Sequence, residues 1–201
     1  MPIAQVPAGK ISDFIHEHYE VYEWKHAIAI LKQDYPQEWQ DILEVLTHFR
    51  LRRSAISVGG GRKSDVAGEL DTAFYRRGWK ETEFRTRVVV DTRSMDSPTH
   101  KVDCYKNEVA LEVEWNNKDP FYDRDLNNFR LLFDLRTVSV GVIVTRSDEL
   151  QEIFASLGRG SSYGSSTTHM GKLLGRVEGG GGGGCPVLVF GITRSLYEED
   201  L

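Results

Sequence analysis

"VDCYKNEVALEVEWNN", Val102 to Asn117, decides how the rest of the chain is read. Alternating apolar and polar residues around a short polar centre predict a β-hairpin. Its strands fall near 99–104 and 109–115, flanking a turn at 105–108 that contains Lys106 and Asn107. Side chains two apart on a strand point the same way. Glu112 and Glu114 therefore share one face, while Val109, Leu111, Val113 and Trp115 take the other and enter the core. The turn brings Asp103 near Glu112 on the acidic face. Carboxylates crowded in this way raise one another's pKa, and a divalent cation relieves the repulsion. Mg2+ suits such a place, because it prefers oxygen ligands, takes one or two protein carboxylates and keeps several waters. Asp103, Glu112 and the backbone carbonyl of Val113 would make an open site of that kind. The bland reading of the same spacing is a hairpin with a solvated acidic face.

Outward from the hairpin, strands and helices alternate, which predicts an α/β fold with a mixed sheet. "HAIAILKQDY" reads as a helix stopped by Pro36. "PQEWQDILEVLTHF" reads as a second, with Trp39, Ile42, Leu43, Leu46 and Phe49 at helical spacing. "SVGGGRKS" is a flexible loop carrying Arg62 and Lys63. "SDVAGELDTAFYRRGW" reads as a helix capped by Ser64 and ended by Gly78. "TRVVVDT" reads as a short buried strand, "YDRDLNNFRLLFDLRTV" as a helix and "VSVGVIVTR" as a core strand. After "DELQEIFASL" the chain turns small and polar. A last apolar strand, "CPVLVFGI", follows six glycines, Gly179 to Gly184. With no Gly-Lys-Ser/Thr after them, these glycines are no phosphate loop, and they read as a mobile connector near 179–184.

The 201 residues suit a single domain spanning 1–201. No apolar run approaches the ~20 residues of a membrane span. The N-terminus lacks the apolar core of a secretory signal, and Cys104 and Cys185 are too few for a disulfide framework. A cytoplasmic protein is expected. The net charge of −5 argues against a non-specific nucleic-acid coater. Between Arg50 and Lys106, however, 13 basic residues face 8 acidic ones, the local excess a phosphate-facing cleft needs. His16 and His18 have no third metal ligand nearby in sequence. Asp123 and Asp125 sit at a helix start, where acids suit the macrodipole, and read as structural.

The hairpin resembles the active site of the PD-(D/E)xK nucleases, with Val102 in the proline's place and Glu114 in the lysine's. The resemblance is to type II restriction endonucleases of the BglII/BstYI, BamHI-like branch, and it covers most of the chain. "AFYRRGWKE", "VSVGVIVTRSDEL", "SSYGS" and "CPVLVFGI" match that branch in the same order as its elements. It implies a restriction-endonuclease-like fold and Mg2+-dependent hydrolysis of double-stranded DNA, with Mn2+ able to substitute. The products implied are a 5′-phosphate and a 3′-hydroxyl. Asp103 and Glu112 would hold metal, and Glu114 would orient or deprotonate water or help ligate. Glu81, or less readily Glu83, would supply a fourth catalytic group. Asn116, Asn117 and Lys118 would face the bases. Ser161, Ser162 and Tyr163 form a second recognition loop, and Arg62 and Lys63 suit phosphates. A palindromic site implies a homodimer, and a companion DNA methyltransferase is expected in the host. Two rival expectations are a repair or defence nuclease without a fixed site and a DNA-binding protein that no longer cleaves.

Overall fold

The computed structural model describes residues 2–57 and 64–200. Arg62 and Lys63 lie outside the described residues. In chain order the elements are β1 (Ala4–Gln5), α1 (Asp13–His18), β2 (Tyr19–Trp24), α2 (Ala27–Asp34), α3 (Pro36–His48), β3 (Leu51–Arg52), α4 (Arg53–Ser57) and α5 (Asp65–Tyr75). Then come β4 (Lys80–Thr82), β5 (Arg85–Val90), β6 (Arg93–Pro98), β7 (Val102–Lys106), β8 (Val109–Val113) and α6 (Phe121–Asp134). The chain closes with β9 (Val140–Arg146), α7 (Leu150–Ser156), α8 (Met170–Glu178), β10 (Val187–Ile192), a 3-10 turn at Arg194–Leu196 and β11 (Tyr197–Glu198).

Seven strands form one mixed sheet in the order β1-β2-β10-β9-β8-β7-β4. Its centre is parallel, β10 with β9 and β9 with β8. The β7–β8 hairpin is antiparallel and adds β4 at the edge. One face packs against α1, α2, α3, α5 and α7, and the other against α6 and α8. Strands buried on both faces read as continuous apolar runs, and β9 and β10 are buried at every position. Gly141 on β9 lets α6 come close: a Cβ there would meet the Phe129 ring at 2.3 Å.

The hairpin turn is tighter than its sequence predicts. Lys106 pairs with Val109, so the loop is the two residues Asn107 and Glu108, both at positive φ (44° and 65°). That is the twist a two-residue hairpin favours. The tip is bolted to the helical layer. The Lys106 ammonium donates to Asp41 Oδ2 (2.7 Å) and to the Arg77 carbonyl (3.0 Å), and Asn107 Nδ2 donates to Glu38 Oε1 (2.7 Å). Trp79, of the Gly-Trp-Lys motif, is buried and donates its indole N–H to the same Asp41 (3.0 Å).

One expectation changes. "TRVVVDT" is not a buried strand: among the described residues β5 pairs only with β6 in a separate ribbon, and Val88, Val89, Val90 and Met95 are exposed. An apolar run alone does not say which surface covers it. The six glycines form consecutive hydrogen-bonded turns packed on α6. Gly183 has φ +57°, and a Cβ there would lie 2.8 Å from Arg130 Cγ, so glycine serves close approach here. Finally, β2 and α8 are elements that the hydrophobic spacing did not single out.

Candidate active site

The three hairpin acids come together, but they are not solvated. Glu112 and Glu114 are 0% and 1% exposed, and Asp103 is half-buried. The α6–α8 layer covers the face they occupy. Past the Cys104–Leu111 pair the hairpin ladder ends, and the two acids take over its donors. The Asp103 N–H donates to Glu112 Oε2 (3.1 Å), and the Val113 N–H donates to Asp103 Oδ2 (3.1 Å). Each strand therefore orients the other's carboxylate through one oxygen. Glu112 Oε1, also buried, receives no hydrogen bond from any N–H or hydroxyl among the described residues.

Glu114 ends the row. Its carboxyl accepts from Asn117 Nδ2 (2.8 Å) and Arg124 Nη2 (3.2 Å). Arg124, stacked 4.2 Å over the Phe121 ring, also pairs with Asp125 (2.8 Å). Asp125 is fully buried and turned into the acid cluster. Burial first, and Asp125 second, hold the Glu112 carboxyl well above the usual carboxylate range. The same two causes push Glu114 up to about 9. Burial pushes Asp125 up to about 6, with Glu114 and Arg124 opposing the rise. Desolvation, rather than the mutual crowding inferred from the spacing, is the larger cause.

Asp125 and Arg124 are the site residues that sequence reasoning missed. One signal was available. Tyr122, Leu126, Phe129 and Leu132 mark the buried stripe of α6, and Asp125 falls inside it. A helix-start acid on the apolar stripe is not placed there by the macrodipole.

The remaining predicted positions are spread along the same edge. Glu81 lies on β4 where its pairing with β7 is irregular, and it is ion-paired with Lys101 (3.0 Å). Its charge bears on His100 and Tyr75, which also sense Asp103. Glu83 lies past the end of β4. Asn116 has φ +58°, and its Oδ1 is buried without a donor. Asn117 turns inward to Glu114, and Lys118 is exposed. The two recognition segments meet: Thr168 N donates to the Asn117 carbonyl (2.8 Å), and Lys118 bridges to Thr167. Ser161 and Ser162 are exposed. Tyr163 is buried, stacked 3.8 Å from the Phe154 ring, with its carbonyl held by Arg146 Nη2 (2.9 Å). Tyr163 thus anchors the loop from within the core, and the two serines are its outward side chains.

Among the described residues, no three His, Cys, Asp or Glu side chains form a ready cation cage. The donor set nonetheless suits a hard divalent cation, which needs few protein ligands and all of them oxygen. Buried carboxylate oxygens without donors are what such an ion would neutralise.

A mixed sheet with an Asp on one hairpin strand, a Glu on the next and helices on both faces is consistent with a restriction-endonuclease fold. The chain belongs to the restriction endonuclease BglII/BglIII family, whose model matches residues 19–192. No curated protein matches the chain. Family membership makes it a type II site-specific deoxyribonuclease, a hydrolase whose substrate is DNA. No described helix is long and apolar enough to cross a membrane.

Proposed function

We propose that the chain cuts both strands of a palindromic DNA site as a homodimer, using Mg2+, and leaves 5′-phosphate and 3′-hydroxyl ends. The observation that carries this reading is the reciprocal lock of Asp103 and Glu112, which fixes two carboxylates side by side and leaves Glu112 Oε1 without a donor. Asp103, Glu112 and the Val113 carbonyl would hold the cation, with Mn2+ an acceptable substitute. A divalent cation there supplies charge neutralisation at the scissile phosphate and makes water more acidic. Glu114, held by Asn117 and Arg124, orients the attacking water and takes its proton, or adds a ligand. Glu81 stands as a further acid at the rim.

Readout is assigned to the joined edge formed by Asn116, Asn117 and Lys118 with Ser161 and Ser162. Asn suits adenine and Lys suits guanine in the major groove. Tyr163 would support that edge, and Arg62 and Lys63 would contact phosphates. Because Asn117 bonds Glu114, base contact and catalytic geometry share a side chain. Cleavage of this kind in the cytoplasm calls for a companion methyltransferase that protects the host's own sites. The test is incubation with plasmid and phage DNA in Mg2+. Discrete fragments with ligatable 5′-phosphate ends are expected. A smear would refute a fixed site. No cleavage with Mg2+ or Mn2+, on DNA of varied sequence and methylation, would refute the nuclease reading.

A further inference from the structure

Asp125 differs from an ordinary helix-start acid in where it points. Its Oδ1 accepts from Arg124 Nε (2.9 Å), but its Oδ2 is buried and, among the described residues, receives no N–H or hydroxyl donor. Glu112, on the facing strand, is in the same state, with Oε2 bonded and Oε1 lacking a donor. Each of these oxygens belongs to a fully buried side chain. Asp125 is the largest charge influence on Glu112, Asp103 acts on Asp125, and the Glu114 carboxyl is hydrogen-bonded to Asp125.

Asp125 is not held there by Arg124 alone. Tyr122 and Thr145 share a hydroxyl hydrogen bond (2.6 Å), and Asn128 Nδ2 donates to the His100 carbonyl (3.1 Å). Those contacts fix the first two turns of α6 against β9 and the β7 approach. A buried carboxylate oxygen without a donor is strongly disfavoured, and two acting on each other are worse. A proton or a cation must compensate them.

We propose that Asp125 is a cation ligand, so that the site takes its carboxylates from helix α6 as well as from the hairpin, with a divalent cation held between Glu112 and Asp125. This rests on the metal-dependent reading above and extends it to a residue on a different element. Arg124 is then the donor that Asp125 and the Glu114 carboxyl share in the cation-free protein.

The test is Mn2+ binding, followed by the electron paramagnetic resonance of free Mn2+, for the wild-type protein, Asp125→Asn and Asp103→Asn. Asp125→Asn is expected to weaken Mn2+ at least ~10-fold, a loss of the size metal-site partners carry. Its melting temperature in EDTA should be no lower than wild type, because a buried charge is gone. Wild-type affinity and stoichiometry in Asp125→Asn would overturn the assignment. Should that variant not fold, hydrogen exchange of the wild-type protein decides. Mg2+ must then slow exchange at the first turn of α6 as well as in the hairpin, and protection of the hairpin alone overturns the proposal. A wild-type protein that cuts DNA while Asp125→Asn binds Mn2+ normally sinks only this inference. A wild-type protein that neither binds Mn2+ nor cuts sinks the metal-dependent reading too.

Discussion

Glu114→Gln should make the cation-free protein more stable, and more so as pH rises. Burial, followed by the Asp125 charge, lifts the Glu114 carboxyl from 4.5 to about 9. At 1% exposure, solvent does not screen it appreciably. Between those two values the folded chain keeps a proton that the unfolded chain has released. Stability is therefore complete below the unfolded value and falls as pH rises towards the folded one, by ~1.4 kcal/mol per pH unit for one full proton. By pH 7 the accumulated loss is roughly 3 kcal/mol. An amide escapes that loss but surrenders one acceptor. The carboxyl takes hydrogen bonds on both oxygens, from Asn117 (2.8 Å) and Arg124 (3.2 Å), and glutamine keeps one. Losing the other costs about 1 kcal/mol. The net gain near pH 7 is on the order of 2 kcal/mol, or roughly 4–8 °C in Tm for a chain of this size. Urea unfolding in EDTA at pH 5, 6, 7 and 8 measures it. The difference between variant and wild type should be near zero at pH 5 and grow with pH. Taking the difference cancels titrating groups that do not touch Glu114, such as Glu20, raised by burial, and His100, lowered by it, while Glu112 and Asp125 respond to the substitution itself. A difference flat with pH, or a variant less stable at pH 8, refutes the reasoning.

Asp103→Ala should abolish cutting while keeping specific DNA binding in a gel-shift assay. Normal cutting by that variant would show that the site lies elsewhere. Gly183→Ala should lower stability by about 1–3 kcal/mol, since φ is +57° and the new Cβ would press on Arg130 Cγ at 2.8 Å. Chemical denaturation checks it, and an unchanged midpoint would mean the turn relaxes freely. Val89→Ser should stay within about 0.5 kcal/mol of wild type, because Val89 is 64% exposed on the ribbon. A larger loss would mean that the ribbon is covered in solution.

The hairpin was legible because its information is local. Period-two alternation fixed which side chains share a face, and the structure keeps that division: Val109, Leu111, Val113 and Trp115 lie in one core cluster, opposite the acids. The helices Pro36–His48, Asp65–Tyr75 and Phe121–Asp134 were legible for the same reason, with Ser64 capping the second through the Ala67 N–H (3.2 Å). What failed depended on distant partners. "TRVVVDT" has the composition of a core strand, but among the described residues its Val88, Val89 and Val90 are exposed. The glycine run keeps its place as the connector into β10, and Leu126, Arg130 and Phe133 of α6 line it closely.

The acids show most clearly what spacing leaves out. Alternation placed Glu112 and Glu114 on one face, and the open question was whether water or protein covers that face. The answer lies in a glycine and a helix far along the chain. Gly141 admits Phe129, and so α6 lies tight on the sheet with Asp125 facing the acids. Covering the face turns a solvated row into buried carboxyls that favour a proton in the free protein. The same covering gives a divalent cation more to gain, since attraction between charges strengthens as water is excluded. Folding therefore stores in these acids a destabilisation that a bound cation would release, and under the proposed reading loading of the site would raise the stability of the sheet around it.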